Sequence, residues 1–110
     1  MLALVTACDS AGLSVVNLLA SFDNYYVYEN LSYGSEKQNV MDIYVPETKN
    51  MSNHTKRLPV VVFFYGGCWG GCKTLTKEQY VFVAQALTAK GYLVVIPDYR
   101  HYPEVNFFQI

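Results

Sequence analysis

The second half of the chain has the pattern of two buried strands joined by a helix. Residues 58–65 form an unbroken apolar run, which is typical of a strand that is covered on both faces. Residues 92–96 form a second such run, which is stopped by Pro97. The segment between the two runs has the spacing of a helix. The three elements therefore predict a βαβ unit with parallel strands.

The connecting helix is predicted over residues 76–90. Thr76 and Gln79 fit a capping box, and apolar residues recur at helical spacing on one face. The members of this apolar stripe are Tyr80, Val83, Ala84 and Leu87. Gly91 is a natural residue to follow the last turn, because glycine tolerates the left-handed backbone that ends many helices.

The first half of the chain predicts an antiparallel hairpin. Residues 25–33 are rich in tyrosine and favour a strand, and residues 40–45 alternate between polar and apolar positions. In the second of these strands we expect Asp42 and Tyr44 to lie on a solvent-facing side. Residues 10–22 predict one short helix. The fold class is therefore α/β, with a hairpin that leads into a mostly parallel sheet with a βαβ crossover.

Composition excludes several functional classes. The 110 residues are 52% hydrophobic and 15% charged, with a formal net charge of -1, so neither a disordered chain nor a basic nucleic-acid binder is expected. No run of 18 apolar residues predicts a membrane-spanning helix. The hydrophobic share is high for so short a chain. Either the chain forms a tight small core, or it is one piece of a larger core.

The first eight residues resemble the end of a bacterial lipoprotein signal. They read Met-Leu-Ala-Leu-Val-Thr-Ala-Cys, a short apolar run that ends in small residues and Cys8. This resemblance implies a lipidated Cys8, a membrane-anchored protein and a location in the cell envelope. No Lys or Arg precedes the run, and a cytoplasmic protein with a buried or frayed amino terminus is the alternative. We therefore divide the chain into a signal remnant with a short helix at 1–22 and a domain at 23–110.

A loop dense in glycine follows the first buried strand, where ligands of α/β sheets bind. Residues 66–74 and 98–104 both leave strands at that edge. Residues 67–74 come within one residue of a phosphate-binding P-loop, although Cys72 stands in place of the second glycine. The same loop also suits an oxyanion hole, because glycine-rich backbone leaves amides free to bind developing negative charge.

The loop sequence Phe-Tyr-Gly-Gly-Cys-Trp at 64–69 resembles the oxyanion loop of lipases and esterases with the α/β-hydrolase fold. Residues 40–46 and 91–100 look like the hairpin and the Asp-Tyr-Arg turn of carboxylesterases related to feruloyl esterases and kynurenine formamidases. This resemblance covers about residues 25–108. It implies that the backbone amides of Gly67 and Cys68 form the oxyanion hole, with Gly66 and Trp69 beside the substrate. It implies a small-molecule ester as substrate, with an amide as the other substrate class, and no metal or organic cofactor.

The catalytic nucleophile, acid and base are absent from these residues. No G-x-S-x-G motif occurs, and Cys68 lies on the wrong element to replace the serine. Asp98 precedes any nucleophile in chain order, so we expect it to accept bonds from nearby backbone or to pair with Arg100. We expect His101 to be partly exposed. The chain is thus predicted to be the amino-terminal part of a serine esterase, with the serine beyond residue 110 and no activity by itself. A truncated or degenerate hydrolase that binds without turnover is the alternative.

Overall fold

The computed structural model of the protein describes residues 25–47, 57–66, 71 and 74–110, together with Val15 and Leu18. The strands are β1 (Tyr25–Ser32), β2 (Val40–Pro46), β3 (Val60–Val62) and β4 (Leu93–Pro97). The helical elements are a 3₁₀ turn (Lys77–Tyr80), the helix α1 (Val81–Thr88) that continues it, and a second 3₁₀ turn (Phe107–Gln109).

The four strands form one mixed sheet in the order β1-β2-β4-β3. The β1–β2 and β2–β4 pairs are antiparallel, and the β3–β4 pair is parallel. The predicted hairpin and the predicted parallel pair joined by a helix are both confirmed. The loop after β3 and the turn after β4 consequently leave the sheet at the same edge.

One face of β2 is buried, and it is the face that the sequence predicted to be wet. Asp42 and Tyr44 are 2% and 3% exposed. Their strand pairs them with Ile96 and Val94 of β4, so they share the face on which the core lies. The expectation of a solvent-facing Asp42 was wrong because this carboxylate has polar partners within the fold. One of them is the backbone N–H of Asn30, 2.8 Å from Asp42 Oδ1, in an irregularity of β1.

The helix follows its predicted course and covers the core face of the sheet. Gln79 Oε1 accepts a hydrogen bond of 2.7 Å from the backbone N–H of Thr76, which is one half of the predicted capping box. Ala84 is fully buried. The helix ends before Gly91, whose φ of +86° confirms the predicted left-handed position. The buried hydrophobic core consists of Tyr44, Tyr65, Ala84, Val94 and Ile96.

The third strand is buried on one face only. Val60, Val62 and Phe64 are 58%, 51% and 65% exposed, whereas Tyr65 is 3% exposed. The prediction of a strand covered on both faces was therefore wrong for β3. Among the described residues, the core packs on the face that carries Tyr65, Val94 and Ile96, and the opposite face with Val60, Val62 and Phe64 stays exposed.

The predicted elements near the amino terminus fall mostly outside the described residues. Val15 and Leu18, the two members of the predicted helix at 10–22 that are described, are helical. Cys8 and the rest of the 1–22 segment lie outside the described part of the chain. Within the described part, no helix has the length and apolarity needed to cross a membrane.

Candidate functional site

The carboxyl edge of the parallel pair contains a cavity of about 120 Å³. Its walls include Tyr65 from the end of the β3 segment, Thr76 from the start of the helical segment, and Asp98 and His101 from the turn after β4. The structure therefore brings residues that flank the glycine loop together with the Asp-Tyr-Arg turn, as the parallel arrangement predicts.

Asp98 is the acceptor that joins the elements at this edge. Its Oδ1 accepts a hydrogen bond of 2.5 Å from the Tyr65 hydroxyl and one of 2.7 Å from the backbone N–H of Lys77. The expected bond from nearby backbone is confirmed. The expected pair with Arg100 was wrong, because the Arg100 guanidinium points elsewhere and its Nη2 donates to the carbonyl of Gln109 at 2.6 Å. A carboxylate at the start of a helix is also favoured by the partial positive charge there.

Tyr65 lies directly before the glycine loop, and its ring, its hydroxyl and its main-chain carbonyl all have partners. Its ring stacks on Tyr80 with centroids 5.1 Å apart and lies 5.3 Å from the ring of Tyr99. The Tyr99 hydroxyl donates to the main-chain carbonyl of Tyr65. Burial raises the pKa of the Tyr65 hydroxyl, and the hydrogen bond to Asp98 raises this pKa further. Tyr65 is therefore a neutral hydrogen-bond donor at physiological pH.

A buried ion pair fixes the start of the helical segment. Lys77 Nζ lies 3.0 Å from Asp42 Oδ1, and the two side chains are 1% and 3% exposed. A second carboxylate, that of Glu78, lies 3.3 Å from the same Nζ. Burial lowers the pKa of Lys77, but the hydrogen bond and charge of Asp42, with those of Glu78, outweigh it, so this pKa is raised. Sequence reasoning missed the pair, because two residues so far apart in the chain carry no local signal of their contact.

His101 lies in the same wall of the cavity and is partly exposed, as predicted. Its ring packs edge-on against Tyr99, with centroids 4.6 Å apart, and against Tyr65 at 5.9 Å. The Nε2 atom is buried and makes no hydrogen bond to any residue within the described ranges. His101 therefore presents an unused polar atom inside an aromatic cluster.

The predicted oxyanion residues lie mostly outside the described residues. Gly67, Cys68 and Trp69 all do, so their predicted roles stay predictions. Gly66 is described: it is exposed, and its φ is outside the left-handed region. A Cβ there would meet no atom of the described residues within 4 Å. The helical segment begins at Lys77, after the Lys-Thr pair that a P-loop would place at the start of its helix.

Among the described residues, no group of three His, Cys, Asp or Glu side chains is placed to hold a metal ion. The groups that the site does contain are hydrogen-bond donors and acceptors. Their contacts fix the loop ends and the helix start.

Known proteins match this arrangement over most of the chain. The sequence profile of the BD-FAE family matches residues 41–109. Kynurenine formamidase of Salmo salar is 34% identical over 77 residues, which are 70% of this chain and 24% of that protein. A probable isoprenylcysteine alpha-carbonyl methylesterase of Arabidopsis thaliana is 32% identical over 83 residues, which are 76% of this chain and 16% of that protein.

Solved structures agree with the sequence matches. A crystal structure from Silicibacter sp., of a protein with a provisional thioesterase name, superimposes with a TM-score of 0.64 at 25% identity. The superposition covers 92% of this chain and 34% of that chain. This chain thus spans about a third or less of the length of the proteins it matches. With the profile matching well over half of its residues, the chain belongs to the BD-FAE family, a feruloyl esterase-like group of hydrolases with the α/β-hydrolase fold.

Proposed function

We propose that this chain is the amino-terminal part of a serine carboxylesterase-like hydrolase that cleaves small-molecule esters. The observation that carries the proposal is the family match over residues 41–109, which includes both the glycine loop and the Asp-Tyr-Arg turn. Tyr65 and Leu75, which lie on either side of the loop in the sequence, line one cavity together with Asp98 at the carboxyl edge of the parallel strands. Ligands of open α/β sheets bind at such an edge.

In the proposed mechanism the chain supplies the oxyanion hole. A serine beyond residue 110 attacks the ester carbonyl, an acyl-enzyme forms as the alcohol leaves, and water then releases the acid. The amides of Gly67 and Cys68 bind the oxygen that carries the negative charge in each tetrahedral intermediate. Each such donor is worth roughly 3–4 kcal/mol of transition-state stabilisation. Gly66 and Trp69 line the substrate side of the loop.

Amides are the second substrate class that we propose. One relative is named a formamidase and another a methylesterase, so the two names cover an amide substrate and an ester substrate. The two reactions need the same oxyanion stabilisation and differ in the leaving group. The loop of this chain is suited equally to both.

The exposed face of β3 supports the proposal that a larger sheet surrounds this chain. Val60, Val62 and Phe64 are all more than half exposed, although they belong to a run whose pattern is typical of a fully covered strand. A longer hydrolase would cover this face. Because the nucleophilic serine is proposed to lie beyond residue 110, we expect the 110-residue chain to hydrolyse p-nitrophenyl acetate only at the background rate.

The decisive experiment removes the backbone N–H of one proposed oxyanion donor. It is compared with a substitution at the same residue that keeps this N–H. Cys68→Pro lacks the backbone N–H, whereas Cys68→Ala keeps it and serves as the matched control. In the complete hydrolase we expect Cys68→Pro to lower kcat by roughly 10²–10³ with p-nitrophenyl acetate, and Cys68→Ala to stay within a few-fold of wild type. Equal rates for the two variants would contradict the proposed oxyanion hole. Parallel assays with formanilide test the amide class.

A further inference from the structure

We infer that Asp98 is a positioning residue for the glycine loop, because one oxygen of its carboxylate ties together the two ends of that loop. The loop lies between Tyr65 and Lys77 in the sequence. Asp98 Oδ1 accepts the Tyr65 hydroxyl at 2.5 Å and the Lys77 backbone N–H at 2.7 Å. The catalytic consequence of this clamp rests on the proposed function; the clamp itself does not.

The acceptor is fixed by its own backbone. The N–H of Asp98 donates to the carbonyl of Val40 at 2.8 Å, which extends the pairing of β4 with β2 past the end of β4. The carbonyl of Asp98 accepts the hydroxyl of Tyr33. Asp98 is therefore held at both of its main-chain polar groups, and its carboxylate is a fixed point rather than a mobile side chain.

The two donors are fixed independently of Asp98. The Tyr65 ring is 3% exposed and stacked on Tyr80, and its carbonyl accepts the Tyr99 hydroxyl. The Lys77 side chain is 1% exposed and reaches the buried carboxylate of Asp42 at 3.0 Å. The clamp thus connects the loop ends to β2, β4 and the helical segment at once. Fixing the two ends of a loop reduces the range of conformations open to the residues between them.

This restriction matters for the amides that the proposed mechanism uses. Oxyanion donors stabilise a transition state only when they are preorganised, and a misplacement of about 1 Å can cost 10²-fold in rate. A carboxylate acceptor also gives hydrogen bonds about twice as strong as a neutral one. Loss of both bonds should therefore loosen the loop most, and loss of charge or of one donor should loosen it less.

The loop carries its own reporter, because Trp69 is the single tryptophan of the chain. We would record Trp69 emission and the hydrogen exchange of the amides at 66–74 in the 110-residue chain for Asp98→Ala, Asp98→Asn and Tyr65→Phe. Glu104→Gln is the matched control, since it removes the same charge from another wall of the same cavity. Exchange of the β4 amides reports whether each variant keeps its fold.

We expect Asp98→Ala to shift Trp69 emission and to speed exchange at 66–74 by at least about tenfold over Glu104→Gln, with β4 unchanged. Asp98→Asn keeps an acceptor oxygen and should lie between Asp98→Ala and wild type. Tyr65→Phe should add nothing to Asp98→Ala in the double variant, because the two changes remove the same bond. Emission and exchange in Asp98→Ala equal to those in Glu104→Gln would overturn the inference.

If Asp98→Ala does not fold, the milder variants Asp98→Asn and Tyr65→Phe are compared with the controls Glu104→Gln and Tyr102→Phe. Emission and exchange rates in the milder variants that equal those of the controls overturn the inference. In the complete hydrolase, Asp98→Ala should lower kcat by about 10–100-fold with KM within a few-fold, and Asp98→Asn should restore part of it. A loop that responds in a protein without hydrolase activity refutes the proposed function and leaves the clamp standing. Activity unaffected by Asp98→Ala, with an unmoved loop, refutes the clamp and leaves the function standing.

Discussion

Replacement of Asp42 by alanine should destabilise this protein more than any change on its surface. The carboxylate has two partners: the buried Lys77 ammonium at 3.0 Å and the backbone N–H of Asn30 at 2.8 Å. In Asp42→Ala the Lys77 ammonium stays buried. Its remaining acidic neighbour is Glu78, whose side chain is 66% exposed. The same change leaves the backbone N–H of Asn30 without this acceptor.

The expected loss follows from the burial of the pair. Removing one partner of a buried ion pair costs about 3–5 kcal/mol, because the other charge stays in a poorly solvated site. A chain of this length has a free energy of unfolding of the order of 5–15 kcal/mol. Asp42→Ala should therefore remove about a fifth of the stability or more. At about 4 °C or more per kcal/mol, the Tm should fall by roughly 12 °C or more.

The assay is urea unfolding followed by circular dichroism, with an exposed ion pair as the matched control. Arg100 Nη1 lies 3.9 Å from Glu36 Oε1, and the side chains are 31% and 52% exposed. Glu36→Gln should cost less than about 1 kcal/mol, because solvent screens such pairs. An Asp42→Ala variant that loses no more stability than Glu36→Gln would refute the reasoning.

Three further changes test other parts of the fold. Burial raises the pKa values of Tyr44 and Tyr65 above their ordinary 10.0, so above that pH the folded state keeps protons that the unfolded chain releases. The free energy of unfolding should therefore be at its full value below about pH 10 and fall above it, which urea midpoints measured at rising pH would show. Gly91→Ala should cost about 1–2 kcal/mol in the same assay, because its φ of +86° is unfavourable for a residue with a Cβ. Gly66→Ala should cost nothing measurable, since its φ is not left-handed and a Cβ there meets no atom of the described ranges within 4 Å. A loss equal to that of Gly91→Ala would contradict this.

Local patterns carried most of the fold prediction. The hairpin, the parallel pair and the connecting helix all follow from residues close in sequence: alternation, an unbroken apolar run and the glycine at 91. The errors concern which face is covered. Alternation with a period of two fixes which residues share a face, but the neighbouring elements decide which face is buried. Because the sequence pattern does not show which face the neighbouring elements cover, Asp42 was predicted to face solvent and Val60 was predicted to be buried.

The candidate site was predictable to a smaller extent. The parallel pair predicted that the glycine loop and the Asp-Tyr-Arg turn leave the sheet at one edge, and Tyr65 and Asp98 line one cavity there. The chain order of hydrolase triads predicts a structural role for Asp98, which stays a prediction. The partners of Asp98 were not predictable, because Tyr65 and Lys77 reach it only through the tertiary fold. The buried side chain of Lys77 was missed as well, since a lysine in the first turn of a helix is normally solvated.

The position of Lys77 makes the Asp42–Lys77 pair asymmetric. A cation in the first turn of a helix is repelled by the partial positive charge of that end, so it needs a nearby acid to offset this repulsion. Asp42 keeps the N–H of Asn30 when the lysine is gone. When the aspartate is gone, the acid that remains beside Lys77 in the described part of the chain is Glu78. Lys77→Met should consequently cost less than Asp42→Ala by about 1 kcal/mol or more, and it should relieve part of the loss when both changes are combined. A combined variant whose loss equals the sum of the two single losses would show that the two side chains do not stabilise each other.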